Sequence, residues 1–141
     1  MAEQIGLRRL AVGETAYLLV RAQMRWNFAG IKVNRGERYD LAVSDLWCWY
    51  DWYLPADANG VCRPNVFQNY TPGFLKRHSD SGFMALVGCV GKKRRNRFAI
   101  GVRSNTQTMP ADGELGAFAN DIHLFYFNNR GLLRLNITRL P

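Results

Sequence analysis

The sequence predicts an all-β, jelly-roll-like antiparallel β-sandwich, and three observations carry that expectation. Apolar and polar residues alternate in at least four segments, which is the period of a strand with one buried and one wet face. Nowhere does an apolar 3.6-residue pattern persist for three turns. Gly, Pro and Asn cut the chain into many short pieces, as they do in sandwiches and barrels.

Residues 1–14, with Arg8 and Arg9 among a few aliphatics, read as an N-terminal arm or edge strand, and residues 15–141 as one domain. In Thr15–Gln23 the residues Ala16, Leu18, Val20 and Ala22 share one side. Trp26–Val33 follows, closed by the turn signal Asn34-Arg35-Gly36. Tyr39, Leu41 and Val43 then alternate with Arg38, Asp40, Ala42 and Ser44, and this strand runs into an aromatic block from Trp47 to Tyr53. Pro55–Asp80 reads as one long loop, a length that in a compact domain signals either function or a misread element. Phe83–Val90 is apolar on both faces and reads as a central strand. Gly91–Asn96 reads as a hairpin tip leading into Arg97–Val102. Pro110–Gly113 is a turn before two closing strands, whose buried faces are marked by Leu115, Ala117 and Ala119, then by Leu133, Leu135 and Ile137.

Between the closing strands lies a loop that begins Asn120-Asp121 and ends Asn128-Asn129-Arg130-Gly131. Asp121, Asn128 and Asn129 supply side-chain oxygens, and the backbone between them supplies carbonyls. Adjacent asparagines in a regular strand point to opposite faces, so bringing them to one point needs a loop, which Gly131 frees the backbone to make. Calcium takes roughly six to eight oxygens from carboxylates, amides, carbonyls and water, and this loop has that inventory. It is not an EF-hand, lacking the closing glutamate and the alternating acids. The plainer reading is that Asn, Asp and Gly are ordinary turn residues.

The chain of 141 residues is long enough to bury a real core, and its 48% hydrophobic content excludes wholesale disorder. Eight Phe, six Tyr and four Trp favour strands and stacking surfaces. The formal charge of +8 assists contact with nucleic acid, anionic lipid or acidic glycans without determining a fold. Of three cysteines, Cys89 sits in an apolar run and reads as a buried thiol, while nothing in the sequence selects for or against a Cys48–Cys62 bridge. No run reaches membrane-spanning length, and Met1–Val20 has no continuous apolar core of signal-peptide length. The default expectation is a soluble cytoplasmic protein, or one exported by a non-classical route.

The order of these pieces resembles the bacterial calcium-dependent galactophilic lectins of the LecA type. The pieces that carry the resemblance are Trp26-x-x-Ala29-Gly30-Ile31-x-Val33, Asn34-x-Gly36-Glu37, the aromatic stretch Trp47–Tyr50 and Ala58-Asn59-Gly60. Later come Ala85-Leu86-Val87-Gly88-x-Val90-Gly91, Phe98-x-Ile100-Gly101, Gly113-Glu114-Leu115, Asn120-Asp121 and Asn128-Asn129-x-Gly131. The resemblance implies a small jelly-roll-like lectin sandwich and a calcium-dependent carbohydrate-binding function in which sugar hydroxyls complete the metal shell. It implies Asp121, Asn128 and Asn129 as calcium-binding side chains, with the family's seven-residue step from the aspartate to the first asparagine. It further implies backbone carbonyls from Phe125 and Tyr50, the latter across a one-residue gap. A sugar is then expected to touch Asp121, Ile122, His123, Phe127 and Asn128.

Departures from the family pattern bear on the ligand. The histidine and glutamine that grip galactose have no counterpart at matching positions, since the Asp57–Asp80 loop differs in length and offers Gln68-Asn69-Tyr70 instead. The loop after Asp121 carries His123, Phe125 and Phe127 where the family has small residues. An extended or acidic glycan is therefore a better expectation than galactose alone, and apolar strand surface makes a homo-oligomer plausible. Two alternatives stand beside the lectin reading. One is a lectin-fold interaction or accessory domain that binds no sugar. The other is a basic nucleic-acid-binding module built on Lys92-Lys93-Arg94-Arg95-x-Arg97 and the aromatics, against which stands the ordinary charge of a solvated hairpin tip. No catalytic arrangement can be defended from spacing, so an enzyme is not expected.

Overall fold

A computed structural model describes residues 6–44, 48–61, 68 and 72–141. Trp47, Cys62, Asn69 and Tyr70, on which parts of the sequence reading fall, lie outside the described residues, as do residues 1–5 of the arm. The architecture is the expected antiparallel β-sandwich. Its strands are β1 (Thr15–Arg21), β2 (Asn27–Val33), β3 (Arg38–Val43), β4 (Trp49–Asp51), β5 (Leu54–Asp57), β6 (Gly60–Val61), β7 (Leu86–Val90), β8 (Arg97–Ala99), β9 (Arg103–Thr108), β10 (Gly113–Ala119) and β11 (Asn129–Arg139).

One sheet runs β6-β5-β4-β11-β3-β9, with β1 also paired to β11; the other runs β2-β10-β7-β8. β11 is the axis of the larger sheet. Asn129, Arg130 and Gly131 pair with β4, Leu132 to Thr138 with β1, and Leu135 to Arg139 with β3. The predicted alternation is realised: Leu133, Leu135 and Ile137 are fully buried, as are Tyr39 and Leu41 of β3 and Val20 of β1. They meet Ile31, Val33, Leu86, Val90, Leu115 and Ala117 of the smaller sheet in one core, the burial of apolar strand faces being what joins the two layers. Val87, Cys89 and Phe118 point to the opposite face of that sheet and form a second cluster under Trp26 and Phe28. So β7 is buried on both faces, as its unbroken apolar run requires.

Of the arm, Leu10 is buried in the core, Arg8 exchanges backbone hydrogen bonds with Gly30 and Lys32, and Gly13 donates to the Arg139 carbonyl.

Two expectations need correction, and one further strand carries no signal in the sequence. Pro55–Asp80 is not loop throughout: β5 and β6 form a hairpin on the edge of the larger sheet, too short for alternation to reveal and interrupted by Pro55, which an edge tolerates. The strand after the basic tip ends at Ala99 rather than Val102. There the chain turns at Gly101 (φ +66°), with the Asn59 Oδ1 accepting the Val102 N–H at 3.0 Å, and crosses to the other sheet. It continues as β9, whose residues Arg103-Ser-Asn-Thr-Gln-Thr carry no apolar signal because this edge strand covers little of the core.

Candidate functional site

The loop between β10 and β11 is fastened at both ends. At its start Asn120 is completely buried and works as a staple: its Oδ1 accepts the His78 N–H at 2.9 Å, and its Nδ2 donates to the carbonyls of His78, Ser81 and Gly82 at 2.9 to 3.0 Å. Its backbone exchanges bonds with Met84 and Ala85 at 2.7 and 2.9 Å. At its end Trp52 donates its N–H to the Asn128 carbonyl at 3.0 Å, and the Asn129 Nδ2 donates to the Ala22 carbonyl at 3.1 Å. Gly131, at φ +87°, lets the chain pass β4 closely: a Cβ there would stand 3.0 Å from the Trp49 Cα. The sequence argument for that glycine therefore has a direct cause in sheet pairing.

Behind the loop sits Arg77, buried and without a carboxylate partner among the described residues. Its guanidinium lies 3.6 Å from the Phe118 ring centre and 4.3 Å from that of Trp26. Its Nη1 donates to the Tyr126 hydroxyl at 2.8 Å and to the Arg25 carbonyl at 2.5 Å, while its backbone N–H donates to the Asp121 carbonyl at 3.2 Å. The Tyr126 hydroxyl donates to the Ala119 carbonyl, which closes the loop onto β10.

In front of the loop opens a cavity of about 250 Å³, lined by Asp51, Trp52, Gln68, Phe83, Asp121, Phe125, Phe127 and Asn128. Its chemistry is divided. The walls are aromatic, with Trp52 and Phe127 largely exposed and the Phe125 and Phe127 rings edge-to-face at 6.4 Å. The floor is oxygen. Asp121 Oδ2 and Asn128 Oδ1, from two of the lining residues, and Oδ1 of the neighbouring Asn129 are buried and have no hydrogen-bond partner. Three such acceptors in one loop are costly unless something satisfies them. Burial pushes the Asp121 carboxyl up to about 7, and the facing charge of Asp51 pushes the same way; the Ile122 N–H and the Asn129 amide pull against them. Asp51 is itself raised by burial, opposed by a 2.5 Å hydrogen bond from the Gln68 Nε2. None of the described residues lining the cavity is basic.

The residues read from the sequence thus divide. Asp121, Asn128 and Asn129 come together with their acceptor oxygens unsatisfied. Phe125 and Phe127 line the same cavity, and Tyr50 stands beside Asp51 on β4, opposite Arg130. Ile122 and His123 lie outside the lining. Ile122 forms an isolated antiparallel β-bridge with Lys76, and the exposed His123 accepts at its carbonyl from the Arg25 Nε at 2.8 Å. Partial burial, with the guanidiniums of Arg77, Arg25 and Arg97, holds the His123 imidazole below its usual pKa. Sequence reasoning passed over Asp51. Its signal was an acid inside the aromatic run Trp49-Tyr50-Asp51-Trp52-Tyr53, where a merely structural block has no use for one.

Past Phe127 and Asn129 lies a second groove of about 500 Å³, shared with Arg21, Gln23, Met24, Arg130, Gly131 and Leu132. Elsewhere, the buried Cys89 thiol is pushed up to about 11 by burial, which leaves it unreactive as a nucleophile at neutral pH. Cys48 is a free, exposed thiol, and its imagined partner Cys62 lies outside the described residues. No helix among the described residues is long and apolar enough to cross a membrane. The described residues hold no cluster of three or more His, Cys, Asp or Glu side chains; the oxygen floor is built instead from two carboxylates and amides.

No family model matches the chain, and no curated protein matches it either. Among solved structures it is similar to a chain described as "EclA N-terminal domain; PllA-like lectin", with a TM-score of 0.62 at 16% identity, over 89% of this chain and 94% of that one. At that identity the likeness shows the fold. It supports a lectin fold for this sandwich, and not the LecA type in particular.

Proposed function

We propose that the protein is a carbohydrate-binding protein whose ligand is held through a calcium ion at the β10–β11 loop. One observation carries the reading: the acceptor oxygens of Asp121 and Asn128, which line an aromatic-walled cavity, and that of the adjacent Asn129 are all buried and unpartnered. A hard divalent cation satisfies such oxygens and reverses the upward push on the Asp121 carboxyl. The side chains of Asp121, Asn128 and Asn129 would hold it, with backbone carbonyls of Phe125 and Tyr50. Calcium bound there would supply open coordination positions for adjacent hydroxyl groups.

A sugar offers both of the things this cavity is built to meet. Its vicinal hydroxyls suit the oxygen floor, and its C–H face suits the rings of Trp52, Phe125 and Phe127. The likeness of the fold to a PllA-like lectin supports the same reading. Selectivity then rests on the walls and on Gln68, with His123 standing outside. Aromatic walls with no basic group among the described residues favour a neutral sugar in the cavity itself, while Arg21 and Arg130 in the adjoining groove favour an acidic unit next to it. Binding of single sugars is expected to be weak, with a Kd of about 1 mM, and extended glycans are expected to bind better.

The test is a glycan array probed with and without calcium. Calcium-dependent binding to oligosaccharides is the expected result. Strong galactose-only binding would show that the missing polar grips are supplied by other residues. Absence of glycan binding with calcium demonstrably in place would leave an interaction domain. A specific feature favours that second reading: Phe74, Leu124 and Phe127, each 70% or more exposed, offer apolar surface near the cavity for a protein partner or a second copy.

A further inference from the structure

We propose that Asp51 is a further calcium-binding residue, its carboxylate facing Asp121 in the cavity and bringing the charge of the site to that of one divalent cation. The proposal rests on the calcium reading above and deepens it. Asp51 and Asp121 line the same cavity with Asn128, and the pairing of β4 with β11 sets Asp51 directly opposite Asn129. The site is therefore approached from two strands as well as from the loop. Asp121 is 3% exposed and Asn129 is 1% exposed, and each leaves an acceptor oxygen unpartnered.

Charge decides between a cation and a hydrogen-bond donor as the occupant. Amides and backbone carbonyls contribute no net charge, so Asp121 alone leaves a calcium ion half neutralised, whereas Asp51 and Asp121 together match it. Two carboxylates brought into one cavity whose described lining holds no basic residue repel each other, and a divalent cation turns that repulsion into attraction. The Gln68 amide, bonded to the Asp51 Oδ2 at 2.5 Å, fixes the orientation of the carboxylate in the way that partners of metal ligands commonly do. Ligand charge count is a principal control on calcium affinity, so Asp51 assigns the site a higher affinity than its amide-rich loop would give.

The experiment titrates calcium into the wild-type protein, Asp51→Asn, Asp51→Glu and Asp121→Asn by calorimetry, with terbium luminescence excited through Trp52 as a second readout, and records melting in chelator. Asp51→Asn is expected to weaken calcium binding by on the order of tenfold or more, and Asp51→Glu to recover most of that loss. In chelator Asp51→Asn should melt at or above the wild-type temperature, because the repulsion with Asp121 is gone. Unchanged calcium affinity in Asp51→Asn would remove Asp51 from the site while leaving the calcium reading intact. An equal loss of stability with and without calcium would make Asp51 a structural partner of Gln68 only. Failure of the wild-type protein to bind calcium at all would overturn the calcium reading itself.

Discussion

The Nη1 of Arg77 and the hydroxyl of Tyr126 meet at 2.8 Å in a buried hydrogen bond behind the loop that carries Asp121. Arg77 is compensated by ring faces rather than by an acid, its guanidinium lying against Phe118 and Trp26. The same hydroxyl donates to the Ala119 carbonyl and so ties the loop to β10.

Tyr126→Phe removes both hydroxyl bonds and leaves the Arg77 Nη1 short of a partner while preserving ring packing. The expected cost is about 1–3 kcal/mol of folding stability, read from urea denaturation. A change within about 0.5 kcal/mol, the range of ordinary surface substitutions, would show that the bond does not hold the loop.

Calcium should raise the melting temperature, since a ligand that binds only the folded state stabilises it by mass action. Asp121→Asn keeps the shape and removes the deeper carboxylate, so it should abolish most of the calcium-dependent rise. In chelator it should cost little, or even stabilise, because the carboxyl it replaces is pushed up to about 7 by burial and by Asp51. If chelator leaves the melting curve of calcium-saturated wild-type protein unchanged, the ion is not bound there.

The contrast between these residues shows what the sequence could and could not disclose. Leu133, Leu135 and Ile137 announced their burial because a strand forces alternation, and Asp121, Asn128 and Asn129 stood out because a loop is needed to bring them together. The place of Asp51 beside the loop was hidden because it comes from cross-strand register with Asn129, not from proximity in sequence. β9 was hidden for a different reason: an edge strand with little buried surface has no apolar pattern to display. His123 lies outside the cavity lining, a placement that its position within the loop does not disclose.

Acid should weaken the fold through Glu37. Its carboxylate accepts from the Tyr39 hydroxyl at 2.7 Å, the Arg9 Nη2 at 2.5 Å and the Asn34 N–H at 3.1 Å, with the Arg139 Nε at 3.5 Å. Burial pushes its pKa up, but Tyr39, Arg139 and Arg9 outweigh it, so the carboxyl is held below its ordinary 4.5. A folded-state pKa below the unfolded value contributes stability that is present above pH 4.5 and lost as pH falls through the folded value. Glu37→Gln should therefore cost about 1–3 kcal/mol at neutral pH and flatten the stability profile below pH 4.5. Parallel acid unfolding of the two proteins would show that Glu37 does not contribute.

Phe127 separates recognition from stability more cleanly than any other position. Its ring is 70% exposed, so Phe127→Ala should change folding free energy by no more than about 0.5 kcal/mol. Yet it borders both the cavity floored by Asp121 and Asn128 and the groove lined by Arg21 and Arg130. A glycan of two or more units that enters the cavity and continues into the groove must cross this ring. Phe127→Ala should accordingly weaken oligosaccharides more than single sugars, with calcium affinity unchanged because the floor oxygens are untouched. Arg130→Gln should weaken acidic glycans selectively, and added salt should erase its difference from wild type, as it does for exposed charges. Calorimetry with a neutral and an acidic oligosaccharide at two salt concentrations distinguishes the outcomes. Equal losses for single sugars and oligosaccharides in Phe127→Ala would confine the ligand to the cavity, and no loss in either variant would place recognition elsewhere on the protein.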